Sequence, residues 1–370
     1  MIRILHYIPG FRYGGIESLF LEWYCFIDKS EFQFDLLTRV ENENSLILKQ
    51  YRNMGGRVNR LETLSFGNII RFRKSVKKFF EGEKKYDIVH IHGDDPFIMY
   101  YAKRNGASKI ILHSHTIKRE EGGIKAWLNT NNEKIDLKLW ADEGWACSIR
   151  AANWKFRGSK WSDGNVKIIH NPVNWKKYIF NNTIRKEVRN YWNLDDKFVV
   201  GTVGRITEAK NPNAVIDIFS MVKRKKENAC LLWVGDGIKL TLAKKKIDEL
   251  NLGDSIILTG YRDDIPELMQ AMDVFVFPSL WEGLGLAALE AQAAGLKTVC
   301  SENVPEEVDV SPLCKHIPLD NMDSWVMEIC EAEHVKREDT SHYFMDSVYD
   351  ISYGIQELEK SYKEVLQDSM

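Results

Sequence analysis

Short runs of β-branched and aromatic residues alternate with amphipathic helical patterns along most of this 370-residue chain. Such alternation predicts parallel sheets with helices on both faces, because a parallel connection needs a helical crossover. The pattern breaks near His170, where a polar and extended stretch is predicted, and then restarts. At about 150 residues per domain, the length suits two such domains. The sequence predicts doubly wound domains at 1–171 and 172–340 and a helical tail at 341–370.

The predicted elements follow this alternation in both domains. In the first domain we predict strands at 3–8, 33–38, 57–61, 87–92, 109–113 and 145–148, and helices at 16–26, 45–54, 68–80 and 96–104. In the second we predict strands at 198–203, 230–234, 255–258, 273–277 and 297–300, and helices at 212–223, 239–250, 265–271 and 286–294. Ligands of such sheets bind at the carboxyl ends of the strands, so the cleft between the two domains is the expected site.

Composition excludes several classes of protein. A hydrophobic content of 44% excludes global disorder, and a net charge of −2 argues against a general nucleic-acid binder. No apolar stretch approaches the roughly 20 residues that span a bilayer, and the N-terminus lacks the apolar core of a signal peptide. The six cysteines are scattered without a C-x-x-C or a Cys/His zinc spacing, which predicts reduced thiols in a cytoplasmic protein.

The small net charge hides an uneven distribution. Residues 1–170 carry a net charge of +8, residues 171–301 carry +2, and residues 302–370 carry −12. The acidity therefore belongs to the end of the chain rather than to the central part of the second domain. We expect the acidic tail to return to the basic first domain.

The most informative segment of the second domain is a buried strand, a turn and a helix at 273–295. Gly283 and Gly285 lack a Cβ, so a ligand can approach the backbone of the turn, and the helix N-terminus suits a phosphate. Glu290 lies inside the helix, where its carboxylate can accept hydrogen bonds from vicinal hydroxyls, and Glu282 lies at the mouth of the turn. The alternative is that both are ordinary solvated acids of a helix and its first turn.

Two cations follow the first strand of the same domain. In the stretch 201–211, Gly204 precedes Arg205, and Lys210 lies five residues further on. Arg and Lys fixed in one loop can neutralise a diphosphate, the Arg by bidentate contact and the Lys as a point charge. The alternative is a surface loop with ordinary basic residues.

Glu282 and Glu290 form an E-x7-E pair after a strand and turn, and Gly204-Arg205 with Lys210-Asn211 is its usual companion. On these residues the chain resembles the retaining nucleotide-sugar glycosyltransferases of the GT-B fold, in glycosyltransferase family 4. Within that family it is most similar to bacterial enzymes of capsule and exopolysaccharide synthesis. The resemblance covers nearly the whole chain. It implies two Rossmann-like domains facing a cleft, with C-terminal helices crossing back to the first domain.

The resemblance also implies roles for the residues of the donor site. Glu290 would hold the ribose, Glu282 would bind the donor sugar, and Arg205 and Lys210 would grip the diphosphate. The remaining implied donor contacts are backbone or loop positions, namely Gly204, Gly235, Tyr261, Arg262, Gly283, Leu284, Gly285 and Leu286. For Gly235, the alternative to a donor contact is that it only forms a tight turn. The chain departs from the family at Leu284, where Phe is common, and at 301–307, where many members have a Gly-Gly pair.

The first domain contributes a glycine pair and strand-end histidines. Gly14 and Gly15 follow the first strand and open a helix, so they are either a plain βα turn or a backbone approach to a ligand. By resemblance Gly15 would face the diphosphate, Gly14 the acceptor, and His115 the donor sugar. His92 is predicted, by its position at a strand end, to line the acceptor pocket. The histidines at 90, 92, 113 and 115 also allow a metal site as an alternative, but hydrogen-bonding roles are the interpretation we adopt.

The segment 71–85 is strongly basic and has apolar residues at helical spacing. One interpretation is an amphipathic helix of the domain whose polar face happens to be basic. The other is peripheral contact with an anionic membrane, which would suit an enzyme that extends a lipid-linked glycan. Nucleic-acid binding is not expected, because no recognition motif is present.

Together these observations predict a retaining, metal-independent glycosyltransferase of the hexosyltransferase type, without a cofactor. It would move a sugar from a nucleotide-sugar, with UDP favoured over GDP, to a saccharide or lipid-linked saccharide. We predict a cytoplasmic location, at the inner face of the cell membrane if the basic segment binds lipid. The alternatives are a non-catalytic nucleotide-sugar-binding subunit and a sugar-nucleotide epimerase of the same fold. A nicotinamide dehydrogenase is disfavoured, because no G-x-G-x-x-G follows either first strand.

Overall fold

The computed structural model describes residues 1–11, 14–41, 46–64, 67–82, 85–93, 95–116, 140–157, 161 and 165–367. The chain divides into two compact units, Met1–Pro172 with Ile351–Met370, and Val173–Asp350. The predicted divisions were at 171/172 and 340/341, so the second one falls ten residues later in the structure. Among the described residues, no helix is both long and apolar enough to cross a bilayer.

The first unit is built on a seven-stranded parallel sheet in the order β5-β3-β1-β6-β7-β8-β9. Its strands are β1 Ile2–Tyr7, β3 Phe32–Thr38, β5 Arg57–Arg60, β6 Ile88–Ile91, β7 Lys109–Ser114, β8 Glu143–Ala146 and β9 Lys167–Ile168, with a separate short pair β2 Gly10–Phe11 and β4 Val40–Glu41. Its helices are α1 Gly15–Phe26, α2 Leu46–Asn53, α3 Ile69–Phe80, α4 Pro96–Arg104 and α5 Ile149–Phe156. Central β1 pairs with β3 and β6, and its last four residues are buried.

The last helix of the chain, Ile351–Gln367, belongs to the first unit. Its apolar stripe, which includes Leu358 and Tyr362, packs into the core formed around Trp23 and Phe34. An ion pair of 2.5 Å joins Glu364 of this helix to Lys167. The predicted return of the tail to the first domain is therefore confirmed for this helix. The acidic stretch before it stays in the second unit.

The second unit contains a six-stranded parallel sheet in the order β12-β11-β10-β13-β14-β15. Its strands are β10 Phe198–Val203, β11 Ala229–Val234, β12 Ile256–Gly260, β13 Val274–Phe277, β14 Lys297–Ser301 and β15 Cys314–Ile317. Its α-helices are α6 Asn182–Tyr191, α7 Pro212–Lys225, α8 Leu240–Glu249, α9 Ile265–Ala271, α10 Leu286–Ala293, α11 Met322–Glu331 and α12 Ser341–Phe344. Short 3₁₀ helices include Glu208–Lys210 and Glu306–Val308.

The extended stretch predicted after His170 is wrong in part, because α6 occupies residues 182–191. Its one buried side chain is Arg189, and its apolar residues Ile184 and Val188, one turn apart, are only half-buried, so the helix buries little apolar surface. It is held by charge and hydrogen bonds instead. Asn181 caps it, and Arg185 and Arg189 both pair with Asp273 at the start of β13.

Candidate active site

The loops that follow β10, β11 and β12 are joined backbone to backbone at the carboxyl edge of the sheet. The amide of Gly204 donates to the carbonyl of Val234 over 3.0 Å, and that of Gly235 donates to the carbonyl of Gly260 over 2.9 Å. Gly235 has φ +143, and a Cβ there would lie 2.0 Å from the Gly204 carbonyl oxygen. Only glycine fits such an approach, so Gly235 has a structural reason independent of any ligand.

Lys210 and Glu282, which the sequence predicted as separate contacts, form an ion pair. The Lys210 Nζ lies 2.5 Å from Glu282 Oε1, and it also lies 4.2 Å from the ring centroid of Phe277 at the end of β13. Both side chains are mostly shielded from solvent, at 24% and 12% exposure. A shielded ammonium held by one carboxylate and one ring face keeps a defined position. The two loops thus hold the ammonium of Lys210 and the carboxylate of Glu282 in fixed positions at the carboxyl ends of β10 and β13.

The turn before α10 has the geometry expected of a phosphate-binding turn. Gly285 has φ +111 and lies at the N-cap of α10, where no side chain caps the helix. The first amides of a helix have no partner one turn earlier, which suits an anion, although the amide of Ala288 already donates to the carbonyl of Gly285 over 2.9 Å. The side chain of Leu284 is buried at 3% exposure, and a donor contact at this position stays a prediction. Glu290 is half-buried on the same helix, eight positions after Glu282.

The other predicted donor residues differ in how much the protein itself uses them. Arg205 is exposed, and within the described part of the chain it has no acidic partner. Arg262 instead makes a bidentate pair with Asp264, with Nε–Oδ1 at 2.8 Å and Nη2–Oδ2 at 2.5 Å. This pairing raises the pKa of the Arg262 guanidinium. Tyr261 is half-buried beside it.

In the first unit the predicted histidines are part of a larger buried network that begins at His6. His6 Nδ1 lies 2.9 Å from His92 Nε2, and His92 Nδ1 lies 2.9 Å from His115 Nε2. A neutral imidazole has one N–H and one lone pair, so this chain of three forms only if all rings share one tautomeric sense. The predicted acceptor contact His92 therefore has both ring nitrogens bonded to other histidines.

A second chain runs beside the first. The hydroxyl of Tyr362 lies 2.7 Å from His90 Nδ1, and His90 Nε2 lies 3.0 Å from His113 Nδ1. Burial lowers the pKa of every one of these five rings, to about 3 for His6. All five are therefore neutral at physiological pH. Sequence reasoning missed His6 and Tyr362, because neither is near another histidine in the sequence.

The glycine pair of the first unit has a simple local explanation. Gly15 is exposed and begins α1, while Gly14 is the N-cap, in an extended conformation with φ −175. A Cβ at Gly14 would lie 2.7 Å from the carboxylate of Glu17, which is buried at 8% exposure. The preceding Arg12 and Tyr13 lie outside the described residues. A side chain at Gly14 would only require the carboxylate of Glu17 to shift, and a ligand role for either glycine stays a prediction.

Comparison with known proteins places this geometry among glycosyltransferases. Residues 184–310 match the family model described as glycosyl transferases group 1. A putative glycosyltransferase, EpsF of Bacillus subtilis, is 28% identical over 319 residues, which cover 83% of this chain and 81% of that protein. The UDP-Gal:alpha-D-GlcNAc-diphosphoundecaprenol alpha-1,3-galactosyltransferase of Escherichia coli is 25% identical over 317 residues, covering 81% of this chain and 79% of that protein. A group 1 glycosyl transferase model thus matches part of the second unit, and the relatives that match most of the chain are glycosyltransferases by name.

Solved structures agree at the level of the fold. The crystal structure of Anabaena HepE in complex with UDP and glucose has a TM-score of 0.81 to this chain at 16% sequence identity. The match covers 98% of this chain and 100% of the HepE chain. The predicted fold class, α/β with two Rossmann-like domains of the GT-B type, is confirmed.

Proposed function

We propose that this chain is a retaining glycosyltransferase of the hexosyltransferase type. It transfers a sugar from a nucleotide-sugar to a saccharide or lipid-linked saccharide in capsule or exopolysaccharide synthesis. The observation that carries the proposal is the Lys210–Glu282 ion pair beside the uncapped N-terminus of α10. A cation, a carboxylate and a helix N-terminus at one sheet edge are what a sugar diphosphate requires.

The chemistry that this arrangement supports is electrostatic. Breaking the bond between sugar and diphosphate leaves negative charge on the leaving group and an oxocarbenium-like sugar. Arg205, Lys210 and the first amides of α10 would stabilise the leaving group, and in many enzymes such pre-oriented charge contributes more to catalysis than any other effect. These groups supply the positive charge within the proposal, so we assign no metal to the transfer step and no cofactor.

The ion pair suggests how one carboxylate serves both states of the site. Glu282 holds the ammonium of Lys210 over the ring of Phe277 before a donor binds. A diphosphate oxygen would then compete for the same ammonium. Glu282 would be released and could accept a hydrogen bond from a hydroxyl of the sugar.

Glu290, with its half-buried carboxylate one turn into α10, is assigned to the ribose hydroxyls. The backbone near Gly235 and Tyr261 is assigned to the nucleotide. UDP is the favoured carrier, and the similarity in fold to a UDP-bound protein supports that choice. For His115 of the first unit, a role beside the donor sugar rests on the family resemblance, and His115→Ala tests it by its transfer rate.

The acceptor and location are proposed from two further observations. The E. coli relative is named for an acceptor on diphosphoundecaprenol, which supports a lipid-linked acceptor here. Helix α3 has a basic face, and two apolar side chains, Ile69 and Ile70, are 49% and 69% exposed at its start. Basic charge beside exposed apolar side chains favours the surface of an anionic bilayer. We therefore propose a cytoplasmic enzyme in peripheral contact with the inner membrane face.

The experiment compares Lys210→Ala with Lys246→Ala. Lys246 is a matched control, since it forms an ion pair of 2.7 Å with Asp217 in the same unit at a similar exposure of 25%. We expect Lys210→Ala to lower kcat about 10²–10³-fold with an unchanged circular dichroism spectrum, as for other losses of transition-state charge stabilisation. Lys246→Ala should transfer sugar at the native rate. Equal rates in the two variants would remove Lys210 from the mechanism.

Two measurements separate the proposal from its alternatives. An epimerase would convert the nucleotide-sugar without an acceptor, whereas a transferase shows at most slow donor hydrolysis in that case. A binding subunit would be stabilised by the nucleotide yet transfer to no acceptor. The anomeric configuration of the product, read by NMR, tests retention, and an inverted product would contradict it.

A further inference from the structure

Four potential metal ligands come together at the edge of the second unit's sheet, outside the residues proposed to bind the donor. Cys300 belongs to β14, Cys314 and His316 belong to the edge strand β15, and Asp309 lies in the segment that connects the two strands. The donor atoms of Asp309, Cys314 and His316 all lie within 4.8 Å of one another. The fourth, Cys300 Sγ, lies 3.9 Å from Cys314 Sγ.

We propose that Asp309, Cys314 and His316, with Cys300 as the fourth ligand, bind a zinc-class divalent cation with a structural role. Two thiolates and an imidazole are the ligands preferred by such borderline-soft cations, and a carboxylate is a common companion. The proposal is independent of the transfer reaction, to which no metal is assigned.

Three of the separations can be compared with those of a tetrahedral site, and Cys300, which lies outside the set of three atoms within 4.8 Å of one another, would have to move towards the ion. Bonds of about 2.3 Å to sulfur and about 2.0 Å to nitrogen or oxygen place tetrahedral ligand atoms roughly 3.3–3.8 Å apart. The sulfur of Cys314 lies 3.9 Å from the sulfur of Cys300 and 3.9 Å from His316 Nε2. The shorter Asp309 Oδ1–His316 Nε2 separation of 2.8 Å is a hydrogen bond, and it needs to open by about 0.5 Å to admit the ion.

The outer contact of His316 is the second observation that points to a metal. Its Nδ1 lies 3.1 Å from the backbone carbonyl of Ser301, so Nδ1–H donates and Nε2 faces the other ligands. A metal-bound histidine almost always donates its second ring N–H to such an acceptor, which fixes the ring.

The position of the cluster indicates how the cation would enter and which segment its binding would anchor. Asp309 is 37% exposed and Cys300 is fully buried, so the ion would enter from the carboxylate side and be shielded on the sulfur side. The segment that contains Asp309 also contains Val308, whose side chain lies beside Gly285. A cation would therefore anchor the segment that supports the turn before α10.

The test titrates reduced, chelator-treated full-length protein with Co²⁺ and follows its absorption spectrum. We expect one Co²⁺ per chain, with the intense visible bands of a tetrahedral site and a thiolate charge-transfer band in the near ultraviolet. Zn²⁺ should displace the Co²⁺ and raise the Tm, whereas Mg²⁺, which prefers oxygen ligands, should not. Absence of the thiolate band in the native protein overturns the proposal. Binding at the buried histidines of the first unit would give nitrogen ligation without that band, and it would overturn the proposal equally.

Variants assign the ligands. Cys314→Ser and His316→Gln should weaken Co²⁺ binding at least about 100-fold, and Cys300→Ser should lower the charge-transfer intensity by about half, since one of two thiolates is removed. Cys330→Ser is the matched control, because this half-buried thiol lies outside the cluster, and its spectrum should be native. A native spectrum in Cys314→Ser, or an equal loss in Cys330→Ser, contradicts the assignment. The spectrum of the native protein decides the question even if a cluster variant fails to fold.

Discussion

Lowering the pH from about 8 to about 5 should unfold the first unit before the second, because the first unit buries neutral histidines. Burial lowers the pKa of His6 to about 3, and it is the first cause of the lowered pKa of His90, His92 and His113. In the unfolded chain each ring has its ordinary pKa of about 6.5. A folded pKa below the unfolded one means that the unfolded state binds more protons, so stability is full above about pH 6.5 and falls as the pH drops below it.

The magnitude follows from the unfolded pKa. For each histidine that stays neutral in the folded state, the free energy of unfolding falls by about 1.4 kcal/mol for each pH unit below 6.5. At pH 5 this amounts to about 2 kcal/mol. Four fully buried rings together cost about 8 kcal/mol, which is comparable with the whole free energy of unfolding of a typical domain. The half-buried His115 adds to this in the same direction, reduced by solvent screening. Near pH 5 the protein should take up about four protons on unfolding, so the free energy of unfolding should change by about 5 kcal/mol per pH unit.

The assay is urea unfolding across this pH range, with hydrogen exchange read by mass spectrometry to identify which unit opens. The second unit is an internal control, since its His334 and His342 are exposed, and the raised pKa of its partly buried His316 makes that unit more stable, not less, as the pH falls towards 6.5. His6→Phe should reduce the slope by about one proton even if it lowers the stability itself, whereas His342→Gln should leave the slope unchanged. The reasoning would be refuted if the native protein took up less than about one proton on unfolding, or if NMR signals of the buried histidines titrated near pH 6.5.

Three further predictions concern stability. Gly235→Ala places a Cβ 2.0 Å from the Gly204 carbonyl oxygen at φ +143, so we expect a loss above about 2 kcal/mol in urea unfolding, and a native midpoint would contradict the strain. Tyr362→Phe removes the 2.7 Å bond to His90 and should cost about 1–3 kcal/mol, with faster hydrogen exchange in the last helix; unchanged exchange would show that the bond is dispensable. Glu364→Ala breaks a partly exposed ion pair and should change stability by less than about 0.5 kcal/mol, so a larger calorimetric effect would mean that this pair anchors the helix.

Most of the fold was predictable because apolar periodicity reports burial directly. Strand β10 and helices α4 and α9 have the predicted bounds, and most other elements differ by one or two residues. Of the elements that were not predicted, α5 buries Ala151, Ala152 and Phe156, whereas α6 and β15 bury few apolar side chains. Helix α6 is stabilised by arginines and a cap, and the edge strand β15 has one fully buried side chain in four. Hydrophobic patterning cannot detect an element that does not bury apolar residues.

The candidate site divides in the same way. The glycines and the carboxylate pair were identifiable because their spacing along the chain is local, within one strand, turn and helix. The ion pair of Lys210 with Glu282 was not, since 72 residues separate its partners and only the adjacency of β10 and β13 brings them together. The same holds for His6, which joins the histidine network because β1 pairs with β6.

The sequence by itself determined the two α/β units, the candidate donor residues and the uneven charge, since each depends on the order and spacing of neighbouring residues. Only the tertiary structure decided which side chains share a site. It placed the last helix in the first unit, lined up five neutral histidines, and brought Cys300, Cys314, His316 and Asp309 together. The physical reason is that parallel strands adjacent in a sheet come from distant parts of the chain, so contacts at their ends leave no local pattern in the sequence.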